Sequence, residues 1–251
     1  MVFETLLDPI MSSLLVLPPL LAVAIVSLVV SLIITIIYKL TTNQDLMKQL
    51  KSEMKEFQKE MKELKDHPEE MMKVQKEAMQ TNMKYMMQSF KSTIFTILPI
   101  IIIFSWMNAN FAYESINPHE QFEVILNFDK GAYGDITINP PQGIQVVGDS
   151  IEEVIEGKAK FALKGEEGRY TEENALEFLY SDKKAYKDVI ITDGKRYAEK
   201  EKSDVTPPLK SIEIDYEKKK ILPLLNWGWL GTYILFSILF SSVLRKLLKV
   251  Y

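Results

Sequence analysis

The chain has 251 residues, no cysteine and a formal net charge of −4. Without cysteine, neither a disulfide framework nor a thiolate metal site can form. Three long runs, residues 9–38, 92–113 and 221–244, carry no charged side chain, and each exceeds the ~20 residues that a helix needs to cross ~30 Å of hydrocarbon. We therefore expect an integral membrane α-helical protein with three transmembrane helices.

The first transmembrane helix is placed at residues 14–38, after an N-terminal segment over residues 1–13. Glu4 and Asp8 lie where a cleavable signal peptide would carry basic residues, and the apolar run is too long for such a peptide. This helix is therefore expected to stay in the protein. Pro18-Pro19 is expected to kink it or to start it.

Residues 39–91 are predicted to form a charged helical hairpin. Apolar residues of the first arm follow the spacing of a coiled coil: Leu46, Leu50, Met54, Phe57, Met61 and Leu64. Asp66-His67-Pro68-Glu69 is a helix-start sequence. The apolar residues of the second arm are Met72, Met79, Met83, Met86 and Phe90. We expect the two apolar seams to pack together as a coiled coil, and the second arm to continue without a break into the second transmembrane helix.

Nine of the twelve methionines lie in this hairpin. Their flexible, polarizable thioethers suit the binding of varied apolar partners. The simpler interpretation is that Met79, Met83 and Met86 fill the coiled-coil seam, which leaves Met71 and Met87 at its edges for contact with a partner. All five are candidate binding residues. The lysine-rich outer face is interpreted as solvated surface, with ribosomal RNA or anionic lipid headgroups as the alternative partners.

Beyond the second transmembrane helix, at residues 92–113, the sequence changes character. Short alternating runs separated by Gly, Pro, Asp and Asn predict an all-β, sandwich-like domain over residues 114–220. The runs are Phe122–Leu126, Lys158–Leu163, Ala175–Tyr180, Asp188–Thr192 and Ser211–Tyr216. The third transmembrane helix is placed at residues 221–244 and a tail at 245–251.

Charge predicts the orientation. The hairpin carries +2 and the tail +3, whereas the N-terminal segment carries −2 and the β-domain −7. Because positive segments favour the cytoplasmic side, the hairpin and the tail are predicted to be cytoplasmic, and the N-terminus and the β-domain extracellular. The expected location is the cell membrane.

Hydroxyl-bearing residues lie on one face of each predicted transmembrane helix. They are Ser27, Ser31, Thr35 and Tyr38 in the first, Ser92 and Thr96 in the second, and Tyr233, Ser237 and Ser241 in the third. For any one helix, bonding to its own carbonyls and helix packing account for such residues. In the predicted orientation most of them share the cytoplasmic half, which indicates a shallow polar groove open to the cytosol.

The order of an outer N-terminus, one span, a charged cytoplasmic hairpin and a continuous second span resembles the YidC/Oxa/Alb membrane-protein insertases. The likeness is greatest to their archaeal YidC-like members and to the third subunit of the endoplasmic reticulum membrane protein complex, and it covers residues 14–107 and the third span. It implies a groove that receives a hydrophilic segment of a nascent membrane protein, and a hairpin that captures or guides this client. A ribosome is a further candidate partner of the hairpin. Bacterial relatives carry a groove arginine; here Lys39 is the nearest cation to the first span.

The leading hypothesis is therefore an insertase or chaperone that passes client segments into the lipid bilayer. The first alternative is a membrane-anchored receptor or scaffold whose β-domain binds an unknown extracellular partner, and a weaker one is an oligomeric ion channel. We expect no enzyme, cofactor, metal site or DNA partner, since His67 and His119 lie in loops with no ligand or nucleophile nearby.

Overall fold

The computed structural model describes Leu7 and residues 9–250. Residues 1–6 and 8, which make up most of the predicted N-terminal segment, lie outside the described residues. The chain divides into two compact units, Met1–Ser105 with Leu230–Tyr251, and Trp106–Trp229.

The helix α1 (Pro19–Thr41) begins five residues later than predicted, after a 3-10 turn over Ser12–Val16. Pro18 adopts an extended conformation, with φ −52° and ψ 136°, because a residue that precedes proline is sterically pushed out of the helical region. Pro19 then occupies the first helical turn, where its missing N–H leaves no hydrogen bond unmade.

The helices α2 (Gln44–Glu63) and α3 (Pro68–Phe111) follow, joined by a short 3-10 turn over Leu64–Asp66. Asn43 caps α2 by accepting a hydrogen bond from the Leu46 N–H at 3.1 Å. As predicted, a new helix begins at Pro68 and continues through the second apolar run. We call α2 and the part of α3 up to Lys91 the helical hairpin.

The helix α4 (Trp229–Leu247) begins eight residues later than the predicted third transmembrane helix. Residues Leu222 to Trp227 instead form a closed turn, in which Asn226 adopts the left-handed conformation at φ 54°. Since Pro223 cannot donate a backbone hydrogen bond and Asn226 reverses the chain, no helix can run through this segment.

The helices α1, α3 and α4 pack together in the first unit. Phe104 of α3 contacts Tyr233 of α4 edge to face, with ring centroids 4.8 Å apart. The Arg245 guanidinium of α4 lies 5.0 Å from the ring centroid of Tyr38 in α1, and the Tyr38 hydroxyl lies 3.3 Å from Ser89 Oγ of α3. All three helices are long and apolar enough to cross a membrane.

The second unit is rich in β-sheet. Its strands are β1 (Phe122–Phe128), β2 (Asp135–Asn139), β3 (Ile144–Val146), β4 (Ile151–Glu153), β5 (Lys158–Gly165), β6 (Gly168–Tyr170), β7 (Leu176–Tyr180), β8 (Lys183–Lys187), β9 (Val189–Ile191), β10 (Glu201–Lys202) and β11 (Leu209–Ile214). They form a five-stranded sheet in the order β10-β11-β1-β5-β3, a four-stranded sheet in the order β4-β2-β7-β8, and the pair β6-β9.

The two larger sheets share one buried core. Along β1, inward-facing Val124 and Leu126 are fully buried and alternate with outward-facing residues, as the pleat of a strand requires. Phe161 of β5 and Phe178 of β7 meet between the sheets, with ring centroids 5.9 Å apart. The five runs predicted from alternation all contain strands of this structure.

Candidate functional site

The hydroxyl-bearing residues of α1 lie inside the helix bundle. Ser27 is completely buried, and Ser31, Thr35 and Tyr38 are at most 8% exposed. They repeat every three to four residues and so occupy one helix face, whereas Leu28 and other aliphatic side chains of α1 are exposed. This distribution places apolar groups on the outside and polar groups between the helices, as expected for a bundle surrounded by lipid.

Several of these hydroxyls donate hydrogen bonds to backbone carbonyls of their own helix. Ser27 Oγ donates to the Val23 carbonyl at 2.7 Å, and Thr35 Oγ1 to the Ser31 carbonyl at 2.6 Å. In α3, Thr96 Oγ1 donates to the Thr93 carbonyl at 3.0 Å. Each of these three hydroxyls therefore has its partner without water or a ligand.

The predicted groove residues of α3 and α4 differ in burial. Ser92, Thr96 and Tyr233 are buried with the α1 residues. Ser237 and Ser241 are only half-buried and donate to the Ile234 and Ile238 carbonyls at 3.0 and 3.2 Å. We call the seven buried residues the polar seam: Ser27, Ser31, Thr35, Tyr38, Ser92, Thr96 and Tyr233.

Cationic residues lie at the Tyr38 end of the polar seam. Lys39 donates from Nζ to the Leu248 carbonyl at 3.0 Å, and Arg245 stacks on the Tyr38 ring. Sequence reasoning singled out Lys39 but missed Arg245. The signal was present, because Arg245 is the first charged residue after the apolar run of the third span.

The methionine seam predicted for the second arm is exposed, which corrects the expected coiled-coil packing. Met79 is 67% and Met83 58% exposed, and Met72, Met86 and Phe90 are exposed to a similar degree. The face of α3 that turns inward instead carries Val74 and Thr81, both buried. Together with Met71, Ala78 and Tyr85, which are half-buried, these residues continue the face of Ser92 and Thr96 along one helix.

The first arm follows the prediction more closely. Leu50 is buried, and Leu46, Met54, Phe57, Met61 and Leu64 are all half-buried. Met47, which the prediction did not include, is fully buried in a cluster with Tyr38 and Val250 that also contacts Tyr85. Of the two edge methionines, Met71 lies towards the inward side of α3, and Met87 is exposed.

The exposed methionines form an apolar face with the outer side of the second span, which Gln75 and Lys76 interrupt near its start. We call this face the methionine stripe: Met72, Met79, Met83, Met86, Met87, Phe90, Ile94, Ile97, Leu98 and Ile101. At 1.5 Å rise per residue it is about 44 Å long. Near its start, Met72, Met79 and Met83 line a shallow groove of ≈ 400 Å³ together with Gln75, Lys76 and Gln80.

The β-rich unit carries its own cavity and two perturbed groups. A cavity of ≈ 650 Å³ is lined by Glu120, Asp193 and four further carboxylates, against the two lysines Lys195 and Lys219. Burial lowers the pKa of the Lys187 amine to about 8, and its ammonium donates to the Glu199 carbonyl.

The pKa of one carboxyl in the same unit is lowered by a surface network. A hydrogen bond from Lys184 to Glu177, at 2.9 Å, lowers the pKa of the Glu177 carboxyl to about 2, and Asn139 and Tyr186 also donate to it. Groups of three or more His, Cys, Asp or Glu side chains with the geometry of a metal site are not found among the described residues.

Three apolar helices with lipid-compatible outer faces and a polar seam between them define an integral membrane protein, in which a β-rich region lies in the chain between the second and third of these helices. Residues 4–129, half of the chain, match the family model described as integral membrane protein EMC3/TMCO1-like, so the chain belongs to this family, which is part of the YidC/Oxa1/Alb3 insertase superfamily. Most of the β-rich region and the whole of α4 lie beyond the matched residues. No curated protein and no solved structure matched the chain.

Proposed function

We propose that the protein is a membrane-protein insertase or chaperone, which receives nascent or short-tailed client segments and releases them into the bilayer. The family suggests an insertase-related role. The single observation that carries the proposal is the methionine stripe, an apolar face of α3 that begins on the charged hairpin and is continuous from Met79 into a membrane-spanning segment.

The methionine stripe supplies the capture surface in this proposal. An apolar client segment gains free energy by covering exposed methionines, and unbranched thioethers adapt to client side chains of different shapes. Because the stripe continues as the outer face of the second span at Ile94 to Ile101, a bound segment can move along it towards lipid without returning to water. The client's own transfer into hydrocarbon then drives insertion.

The polar seam supplies the path for a hydrophilic flank of the client. Its residues are packed between the helices, so the groove opens only when α1 moves away from α3 and α4. Since Ser27, Thr35 and Thr96 bond to their own helices, this separation leaves none of these three hydroxyls without a partner. A charged side chain at a helix centre costs about 2.5–3.5 kcal/mol, so a short polar path lowers the insertion barrier substantially.

The proposal also includes the orientation of the chain in the membrane and its partners. The charge pattern supports a cytoplasmic hairpin and tail, with the N-terminus and the β-rich region outside an archaeal-type plasma membrane. The clients are nascent membrane proteins, and the lysine-rich hairpin is the candidate docking surface for a ribosome.

The test is insertion of a short-tailed, single-span client into proteoliposomes, measured by protease protection of its translocated tail. We expect more protected client than in protein-free liposomes, and crosslinks from a probe at Ser31 to the hydrophilic flank. Equal protection with and without the protein, together with no crosslink, would contradict an insertase.

A membrane-anchored receptor or scaffold is the second candidate, favoured by the acidic cavity of the β-rich unit. Deletion of residues 114–220 separates the two functions. An insertase is expected to keep its client crosslinks after this deletion. A receptor would lose its extracellular partner and would show no client crosslinks with or without the deletion.

A further inference from the structure

The segment just before α4 is a rigid turn rather than part of a helix. The Leu222 N–H donates to the Trp227 carbonyl at 3.0 Å, and the Trp227 N–H donates back to the Leu222 carbonyl at 3.2 Å. Inside this pair, the Asn226 N–H donates to the Pro223 carbonyl at 3.1 Å. These hydrogen bonds fix the backbone locally, so the side chains on the turn have defined positions.

The turn holds apolar side chains away from the protein. Leu224 is 95% exposed, the highest value of any large apolar side chain among the described residues. Leu225 and Trp227 are about half exposed. Single exposed leucines are ordinary on protein surfaces, but three large apolar side chains on one fixed turn form a patch that another surface is expected to cover.

Two lysines flank this patch. Lys218 and Lys220 are exposed, and among the described residues neither has a carboxylate within ion-pair distance. Lys219 between them is different, because its Nζ lies 2.8 Å from Glu114 Oε2. Two exposed lysines without a carboxylate partner therefore precede the apolar tip in the chain by four to six residues, and lysines close to an apolar tip suit phosphate above hydrocarbon.

Continuity with α4 identifies what covers the patch. The apolar helix α4, a candidate membrane span, begins at Trp229, two residues after the turn closes at Trp227. A tip so close to the start of a spanning helix lies at the level of the lipid headgroups, where Trp and Lys side chains are favoured. A soluble partner would have to displace lipid to reach it.

We propose that Lys218 to Trp227 is a lipid-binding hook: Leu224 and Leu225 insert at the boundary between headgroups and acyl chains, and Lys218 and Lys220 bind the phosphate groups of anionic lipids. The hook is independent of the insertase proposal, since it requires only that α4 spans a membrane. It also holds for either orientation of the chain.

The first test uses the absence of native cysteine in the full chain. A single Leu224→Cys variant is labelled with an environment-sensitive fluorophore in proteoliposomes that contain nitroxide-labelled phosphatidylcholine. The membrane control is Leu239→Cys, an exposed position on α4, and the water control is Lys62→Cys, an exposed position at the far end of α2.

We expect the label at Leu224 to emit at shorter wavelength than the label at Lys62 and to be quenched by shallow nitroxides, like the membrane control. Emission and quenching equal to those of the Lys62 label would overturn insertion. A short-wavelength emission without nitroxide quenching would also overturn it, because protein rather than lipid would then cover the tip.

The second test addresses the lysines by comparing quenching from nitroxide-labelled phosphatidylglycerol and phosphatidylcholine. Each basic residue near an anionic surface contributes roughly a fivefold preference, so the Leu224 label is expected to be quenched more strongly by the anionic lipid. This preference should be lost in Lys218→Gln/Lys220→Gln and kept in Lys183→Gln, a lysine elsewhere in the β-rich unit. Equal quenching by both lipids in the unsubstituted chain would overturn phosphate binding.

Discussion

Replacing two methionines of the stripe is expected to weaken client capture without unfolding the protein. Met79 and Met83 are 67% and 58% exposed, so a little over half of each side chain remains available for burial by a client. Complete burial of a methionine contributes about 1.5–3 kcal/mol, and the available portion therefore contributes about 1–2 kcal/mol per residue. The variant Met79→Ser/Met83→Ser should lose about 2–4 kcal/mol of client binding, a reduction of about 30- to 800-fold.

The matched control is Glu77→Ser/Lys84→Ser. Both residues are exposed on α3, neither belongs to the stripe, and their charges cancel, so the net charge of the hairpin is unchanged. Exposed substitutions of this kind usually change the free energy of unfolding by less than about 0.5 kcal/mol each, and both double variants should fold. Any difference between them then reports the apolar contact.

The assay is photocrosslinking from a probe at Phe90 to ribosome-bound nascent chains with one apolar segment, titrated over client concentration. The Met79/Met83 variant should reach half-maximal crosslinking at a client concentration higher by the factor given above. The Glu77/Lys84 variant should reach it at the same client concentration as the unsubstituted chain. Equal titrations for the two double variants would refute the assignment of the stripe as a capture surface.

Four other substitutions test the packing and the burial of Lys187. Val74→Asp should lower the thermal unfolding midpoint in detergent, whereas Met83→Asp should leave it nearly unchanged; similar midpoints would contradict the assignment of the inward face of α3. Gly165→Ala should destabilise the β-rich unit by about 1–3 kcal/mol in guanidinium unfolding followed by near-ultraviolet circular dichroism, since an added Cβ would lie 2.6 Å from Ile191 Cδ1. Burial lowers the folded-state pKa of Lys187 to about 8 from 10.5, so the charged amine destabilises the fold at pH 7. As the pH increases from 8 towards 10.5, the folded protein loses this charge, and the free energy of unfolding should rise by up to about 3 kcal/mol. Lys187→Met should lack this rise, and an unchanged pH dependence would show that the amine is not buried in solution.

Local sequence signals were sufficient for most of the helical elements. The sequence Asp66-His67-Pro68-Glu69 predicts a helix start by capping and by the fixed φ of proline, and the structure begins a helix at Pro68. Such signals act within a few residues, so they do not depend on tertiary packing. The third span was misplaced because hydropathy does not register that Pro223 and Asn226 close a turn inside an apolar run.

The packing face of α3 was predicted wrongly, although the sequence contained the information to correct it. Met83 and Ser92 are nine residues apart, which is two and a half helical turns, so in one uninterrupted helix they lie on opposite faces. Both had been expected to face inward. Large apolar residues were counted as packing positions, whereas the structure uses the smaller Val74, Ala78 and Thr81 there.

Sequence patterns also failed to predict some strands of the β-rich unit. The strands found from alternation, such as β1 and β5, are seven and eight residues long and bury every second side chain. Two of the strands that were missed are much shorter: β4 has three residues, none of them buried, and β10 has two. So short a segment joins a sheet through backbone pairing with its neighbours, which leaves no periodic pattern in its own sequence.

The single helix α3 has a consequence for how the two candidate client surfaces can operate. It carries the methionine stripe on one side and the inward face with Ser92 and Thr96 on the other, and as an unbroken helix it rotates about its axis as one body. Any turn that brings Ser92 towards a client at a fixed position turns Met83 away from the same client. In the proposed insertase, a client at one fixed position therefore cannot contact the methionine stripe and the inward face of α3 at the same time, so capture and passage require different rotational positions of α3.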